Sequence, residues 1–215
     1  MLRHALAPVV ARAAADLGIP RTLAEPGVAL TFDDGPHPQG TPAVLSVLEA
    51  ADMRGTFFMV GEQVERRPEL AAEVAARGHV VALHGYRHHL QLRMTPSQVR
   101  TDIARGLDVL TDALGTRPDL HRPPYGVYSP AGLRSVRAAG LRPLLWSRWG
   151  KDWRRYRAPQ SIAALALQGI SAGDVVLLHD ADYYSARDSY RRTVQALELI
   201  IAELAARRIA TVLPV

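Results

Sequence analysis

Short apolar runs alternate along this chain with longer stretches in which apolar positions return every three or four residues. The runs predict buried strands near Val28-Phe32, Thr56-Met59, Val80-His84, Leu120-Arg122, Leu141-Leu145, Val175-His179 and Ile209-Val212. The longer periodicity predicts helices near Thr41-Ala51, Pro68-Arg77, Thr95-Leu114, Pro130-Ala139, Gln160-Gln168 and Ser189-Arg207. Thr95-Pro96 reads as a cap followed by a first-turn proline, and Gly78 and Gly140 as helix stops. This alternation implies an α/β fold with a mostly parallel sheet, open or closed. Leu2, Leu6, Val9, Val10, Ala13 and Leu17 share a helical stripe, so residues 1–27 are expected as an amphipathic helix and lead-in. Residues 28–215 then form a single domain, since no linker, repeat or low-complexity tract divides them.

Strand ends are where α/β proteins place their chemistry. The first strand runs out into Thr31-Phe32-Asp33-Asp34-Gly35-Pro36, two adjacent carboxylates before a turn. Successive strand residues point to opposite sides, so the two cannot share a task unless the turn swings one round, which Gly35-Pro36 can do. A base and a metal ligand are the two roles on offer; an Asx-turn or helix cap ahead of Thr41-Pro42 is the bland alternative. After the apolar run Val80-Leu83 comes His84-Gly85-Tyr86-Arg87-His88. Histidines four apart lie on one face of a helical turn and can grip one metal, with Asp34 the natural third ligand if both strand ends open on one face. Three protein ligands with a fourth position open describe a catalytic zinc centre. The absence of cysteine excludes a structural site of four thiolates, and His89 lacks the spacing that His88 has.

Two more segments carry candidate chemistry. His121-Arg122-Pro123-Pro124-Tyr125-Gly126 joins a cation to a proline-stiffened backbone able to aim an amide N–H at an oxyanion, though an ordinary loop would look the same. Val175, Leu177 and His179 share a strand face, which delivers a titratable imidazole beside an apolar wall; a satisfied strand-end histidine is the alternative.

Taken together, TFDDGP, HGYRH, RPPYG, a Trp-rich segment ending in Asp152-Trp153, and VVLLH stand in the order and rough spacing of the polysaccharide deacetylase family, carbohydrate esterase family 4. The chain resembles that family from Val28 to Val215. The resemblance implies a distorted (β/α)7 barrel and metal-dependent removal of N-acetyl groups from an amino sugar, oligosaccharide or polysaccharide such as chitin or peptidoglycan. It also implies roles. Asp33 matches the general base, and Asp34, His84 and His88 match the ligands of one divalent ion, Zn2+ first, with Co2+ or another divalent ion able to replace it. Arg122 matches the residue that orients the base, the Tyr125 N–H an oxyanion donor, His179 the general acid, and Leu177 part of the pocket for the acyl methyl. This chain departs from the pattern at Gly85, where a Ser or Thr hydroxyl usually steadies the histidine turn, and at Trp149, where the fourth motif usually has its first aspartate. Asp152 is therefore expected to support His179, directly or through Arg122, in preference to Asp180 or Asp182. An O-acetyl esterase of xylan-like chains or an amidohydrolase of non-sugar amides would use the same residues. A non-catalytic glycan-binding module would not need them all.

Charge adds one competing idea. The net charge is +5, and Lys151-Asp152-Trp153-Arg154-Arg155-Tyr156-Arg157 interleaves bases with aromatics, as single-stranded nucleic acid binders do. Elsewhere the arginines are scattered as solvated faces are, so nucleic acid is not expected as a partner, whereas a mild positive field suits anionic glycans or a membrane surface. Trp146, Trp149, Trp153 and Tyr156 could stack on sugar rings, with Trp146 expected as plain core. Arg12 cuts the first apolar stretch short of a leader's core, and no run reaches the roughly 18 apolar residues of a membrane span. A cytoplasmic protein is the first reading, a secreted or cell-surface one the alternative, and the oligomeric state is not legible.

Overall fold

The computed structural model describes residues 17–214. Among them, seven parallel strands are ordered β5-β4-β3-β2-β1-β7-β6. They are β1 (Ala29–Asp33), β2 (Thr56–Met59), β3 (Val80–Leu83), β4 (Leu120–His121), β5 (Arg142–Pro143), β6 (Arg148–Trp149) and β7 (Val175–His179). The helices are α1 (Gly40–Ala50), α2 (Gly61–Arg66), α3 (Pro68–Ala76), α4 (Pro96–Leu114), α5 (Pro130–Ala138), α6 (Pro159–Leu167) and α7 (Ser189–Ala206). The sheet curls into a distorted (β/α)7 barrel whose rims are β5 and β6. Pro143 has no N–H to give a ladder, which suits the rim strand where it stands.

Strand alternation decides what faces where. Leu30 and Phe32 of β1 join Phe57, Met59, Val81, Leu83, Val176 and Leu178 in the large outer core beneath the helices. Ala29, Phe58, Ala82, Leu120 and Val175 form the smaller core inside the curl, with Leu144. Each large outer side chain contributes about 1.5–3 kcal/mol by leaving water. Because Ala29 faces inward, Thr31 and Asp33 do too, and the polar residues of β1 are delivered to the mouth of the barrel. The longest helix, α4, begins with the capping box of Thr95 and Gln98 and stops at Gly115, whose φ of 67° is left-handed; such a cap is worth about 1 kcal/mol.

Four expectations need correction. The strand near residues 209–212 is a single bridge, Val28 to Thr211. The strand expected over Leu141-Leu145 keeps only two residues in the ladder. Helix α2 and strand β6 were not expected: six and two residues are too short to show a period. Finally, His84 and His88 do not lie on a helical turn but in an irregular loop after β3, because Gly85, at φ 81°, leaves the right-handed region at once. Most of the expected N-terminal helix lies outside the described residues; residues 17–27 run as turns and bends, pinned by a bridge from Thr22 to Asp174. No helix among the described residues is long and apolar enough to cross a membrane.

Candidate active site

In the ladder of β1 and β7, Asp33 is the partner of His179 and Thr31 the partner of Leu177. Paired residues on neighbouring strands present side chains to the same face, so the carboxylate and the imidazole meet at the barrel mouth. Arg122, one residue beyond β4, is wholly buried beneath them. Its Nη1 donates to Asp33 Oδ1 at 2.7 Å and to Thr31 Oγ1 at 2.9 Å. Its Nε and Nη2 donate to the carbonyls of Leu144 and Leu145, both at 3.0 Å. Those carbonyls and a hydroxyl take up the guanidinium donors, so Trp149 need not be a carboxylate for Arg122 to be held. Burial lowers the pKa of Arg122, and the adjacent Asp33 opposes that shift. Asp33 Oδ2 stands 3.8 Å from His84 Nε2.

Asp34 follows at φ 82°, a left-handed conformation that costs a non-glycine residue about 1–2 kcal/mol. That turn brings its carboxylate to the same side as Asp33. Asp34 Oδ1 is 3.5 Å from His84 Nε2 and 3.2 Å from His88 Nε2. These three residues are the one group among the described residues whose His, Asp or Glu ligand atoms lie within 4.8 Å of one another. The other nitrogen of His84, Nδ1, lies 2.8 Å from the carbonyl of Arg122, a pure acceptor. Nδ1 therefore carries the proton, and Nε2 turns its lone pair toward a carboxylate. Asp34 Oδ1 and His88 Nδ1 are buried without hydrogen-bond partners. Asp34 Oδ1, with His84 Nε2 and His88 Nε2 beside it, makes a fitting set for a divalent cation, one carboxylate with two imidazoles; the unpartnered His88 Nδ1 is the other ring nitrogen and takes no part in that set. Burial works against the Asp34 charge, but His88 and His84, with His179 farther off, hold its pKa well below the usual carboxylate range. His88 stacks on Tyr184 at 4.1 Å between ring centroids. His89 is exposed and takes no part.

Asp152 meets His179 twice. Its Oδ1 lies 2.9 Å from His179 Nδ1, and its Oδ2 accepts from the His179 backbone N–H at 2.8 Å. Thr193 on α7 donates to the same Oδ2 at 2.8 Å. Burial disfavours the imidazolium, yet Asp152 first, then Asp34 and Asp33, raise the His179 pKa to about 10. The two other carboxylates weighed from sequence go elsewhere. Asp180 accepts from Thr41 and packs against Gly35, with burial pushing its pKa to about 7. Asp182 pairs with His37 at 3.3 Å.

Asp33, Asp34, His84, His88 and His179 line a recess of about 520 Å3, counting space open to solvent, together with Leu177, Tyr125, Trp149, Trp153 and Tyr184. Trp146, expected as plain core, both packs on the inner core and lines the recess; its ring lies over Gly126, where a Cβ would come within 2.4 Å of it. Tyr156 is 87% exposed and outside the recess. Sequence reading missed Thr31, Thr193 and Tyr184. Alternation alone places Thr31 beside Asp33, whereas nothing local links Thr193 to Asp152 or Tyr184 to His88.

Chemistry gathered at the carboxyl ends of β1, β3 and β7, beside three residues able to hold one divalent ion, is the arrangement of an α/β hydrolase. The chain is a member of the polysaccharide deacetylase family, whose model matches residues 21–144. It is 35% identical over 179 residues to a peptidoglycan-N-acetylglucosamine deacetylase of Bacillus cereus, covering 82% of this chain and 81% of that protein. It is also 35% identical over 187 residues to a chitooligosaccharide deacetylase of Bradyrhizobium, covering 84% and 85%. A solved peptidoglycan N-acetylglucosamine deacetylase, in complex with an N-hydroxybenzamide, superposes with a TM-score of 0.83 at 28% identity, over 93% of this chain and 92% of that one.

Proposed function

We propose that this protein is a metal-dependent N-deacetylase of glycans containing N-acetylglucosamine, with Zn2+ held by Asp34, His84 and His88. The convergence of Asp34 Oδ1 with the His84 and His88 Nε2 atoms, the first of which has its proton on the far nitrogen, carries this reading. The ion would supply a Lewis acid and lower the pKa of a water toward about 7.

The chain's own residues do the rest. Asp33, fixed through Oδ1 by Arg122, keeps Oδ2 toward the recess and takes the proton of the attacking water. The Tyr125 N–H, on a segment stiffened by Pro123 and Pro124, donates to the developing oxyanion. Leu177 provides the apolar contact for the acetyl methyl, and Trp149 and Trp153 wall the sugar. His179, charged because Asp152 stands against it, gives its proton to the departing amine. An amine is a far poorer leaving group than an alkoxide, so a histidine held this firmly in its acid form favours an amide over an O-acetyl ester. The family membership and the named relatives support the same substrate class.

The experiment is a panel of acetate release from chitin oligomers, peptidoglycan fragments, acetylated xylan and small N-acetyl amides. Release from the two N-acetylglucosamine substrates at rates well above the others is expected. Turnover confined to xylan or to non-sugar amides overturns the reading.

A further inference from the structure

The loop between His84 and His88 lacks regular structure, yet its backbone is gripped from two sides. At the start of α2, the N–H groups of Gly61 and Glu62 donate to the carbonyls of Gly85 and Tyr86, both at 2.9 Å. From α4, Asp102 accepts the N–H of Tyr86 on Oδ2 and the N–H of Arg87 on Oδ1, each at 3.0 Å. Helix α4 runs so near that a Cβ on Gly106 would stand 2.9 Å from the Tyr86 nitrogen. The Tyr86 phenol donates to Glu65 at 2.8 Å, and the Arg105 guanidinium lies 3.9 Å from its ring centroid.

Gly85 explains why the carboxylate has this place. A Cβ there would lie 2.9 Å from Asp102 Oδ2, and its φ is 81°. A side chain at 85 and a carboxylate at 102 therefore compete for the same space. In this chain the anchor comes from the neighbouring helix.

We infer that Asp102 is a positioning residue of the metal site: by clamping the two amides between His84 and His88, it fixes the aim of both imidazoles. A carboxylate is suited to the task because both its oxygens accept, matching two adjacent N–H donors. The inference rests on the reading of Asp34, His84 and His88 as ligands. Groups that orient ligands from behind typically alter metal affinity about 10- to 100-fold.

The test uses the full chain stripped of metal and titrated with Zn2+ or Co2+ against a competing chelator. Asp102→Asn preserves volume but turns an NH2 on one of the amides. Its Kd is expected to rise about 10- to 100-fold with a changed Co2+ absorption spectrum, while Asp108→Asn on the same helix matches the wild type. Asp102→Ala should weaken binding similarly. Hydrogen exchange of the metal-free wild-type protein keeps the question open to decision if neither variant folds, because the Tyr86 and Arg87 amides should then exchange slowly. Wild-type binding with Asp102→Asn within about twofold of it, or free exchange of those two amides, overturns the role of Asp102 alone. A wild-type protein that takes up no metal, or His84→Ala that keeps it, overturns the ligand reading and this inference with it.

Discussion

The two halves of the recess are built on different terms. On one side, Asp33 with Arg122 and Asp152 with His179 stand at or beside strand ends, tied to one another and to Thr31, Thr193, Leu144 and Leu145 by hydrogen bonds of 2.7–3.0 Å. On the other, Asp34 sits in a left-handed turn, His84 and His88 share a loop, and Asp34 Oδ1 and His88 Nδ1 are buried without partners. The first half satisfies itself from within the protein. The second turns Asp34 Oδ1, a buried acceptor left unsatisfied at a cost of about 1–3 kcal/mol, toward His84 Nε2 and His88 Nε2, a cost that a cation bound there would offset. Strain and one buried acceptor without a partner, Asp34 Oδ1, thus sit together on the Asp34 side, while order sits on the Asp33 and His179 side.

The comparison can be broken at either half, and the largest effect is expected on turnover. Replacing His179 with Ala should lower kcat by about 10^2- to 10^4-fold if, as proposed, it is the proton donor to the amine. Metal content in that variant should stay at the wild-type level, measured by elemental analysis; a loss would mean that the halves are not separable. Next is stability. Arg122→Met leaves Asp33 buried without its counter-charge and should cost about 3–5 kcal/mol in denaturant unfolding. A cost under about 1 kcal/mol would show that Thr31 and water can replace the guanidinium.

Metal removal probes the other half. Saturation to 100 times Kd should stabilise the native state by about 2.7 kcal/mol, so chelation should lower Tm reversibly. An unchanged Tm would mean that the ligand side is satisfied without an ion.

The smallest effect is a shift along pH. In the proposed mechanism His179 donates its proton, so activity should fall as pH rises through its pKa, which the carboxylate of Asp152 raises. Asp152→Asn should move the alkaline limb of kcat/KM down by about 1–3 units and leave the acid limb in place. Because the folded value lies above 6.5, the pair's contribution to stability is full below about 6.5 and fades as pH climbs toward about 10. A cation between Asp34 and the histidines offsets part of that rise, so the limb in loaded enzyme falls below about 10. An unmoved limb in Asp152→Asn, with a shift in Asp180→Asn, would transfer the role.

How much of this was legible in the chain follows from range. The apolar runs announce β1, β2 and β7 because each is buried on both faces, and alternation alone turns Asp33 inward. The pairing of Asp33 with His179 depends on β1 lying beside β7, a neighbour far off in sequence that no local pattern encodes. The spacing of His84 and His88 pointed to two residues that the fold does bring together beside Asp34, but on the wrong backbone: Gly85 ends the possibility of a helical turn. Asp152 was reachable through its segment, yet Thr193, which holds it from α7, was not. Tyr184 follows no periodicity, and only the folded loop lays it on His88.

The central claim is that two adjacent carboxylates divide the work, Asp33 for proton transfer and Asp34 for the metal. Its most direct test is the metal content and turnover of Asp33→Asn beside Asp34→Ala. The account predicts that Asp33→Asn keeps about one divalent ion per chain and loses turnover, while Asp34→Ala loses both. Full metal content in Asp34→Ala, or loss of metal from Asp33→Asn to the same extent, would contradict it.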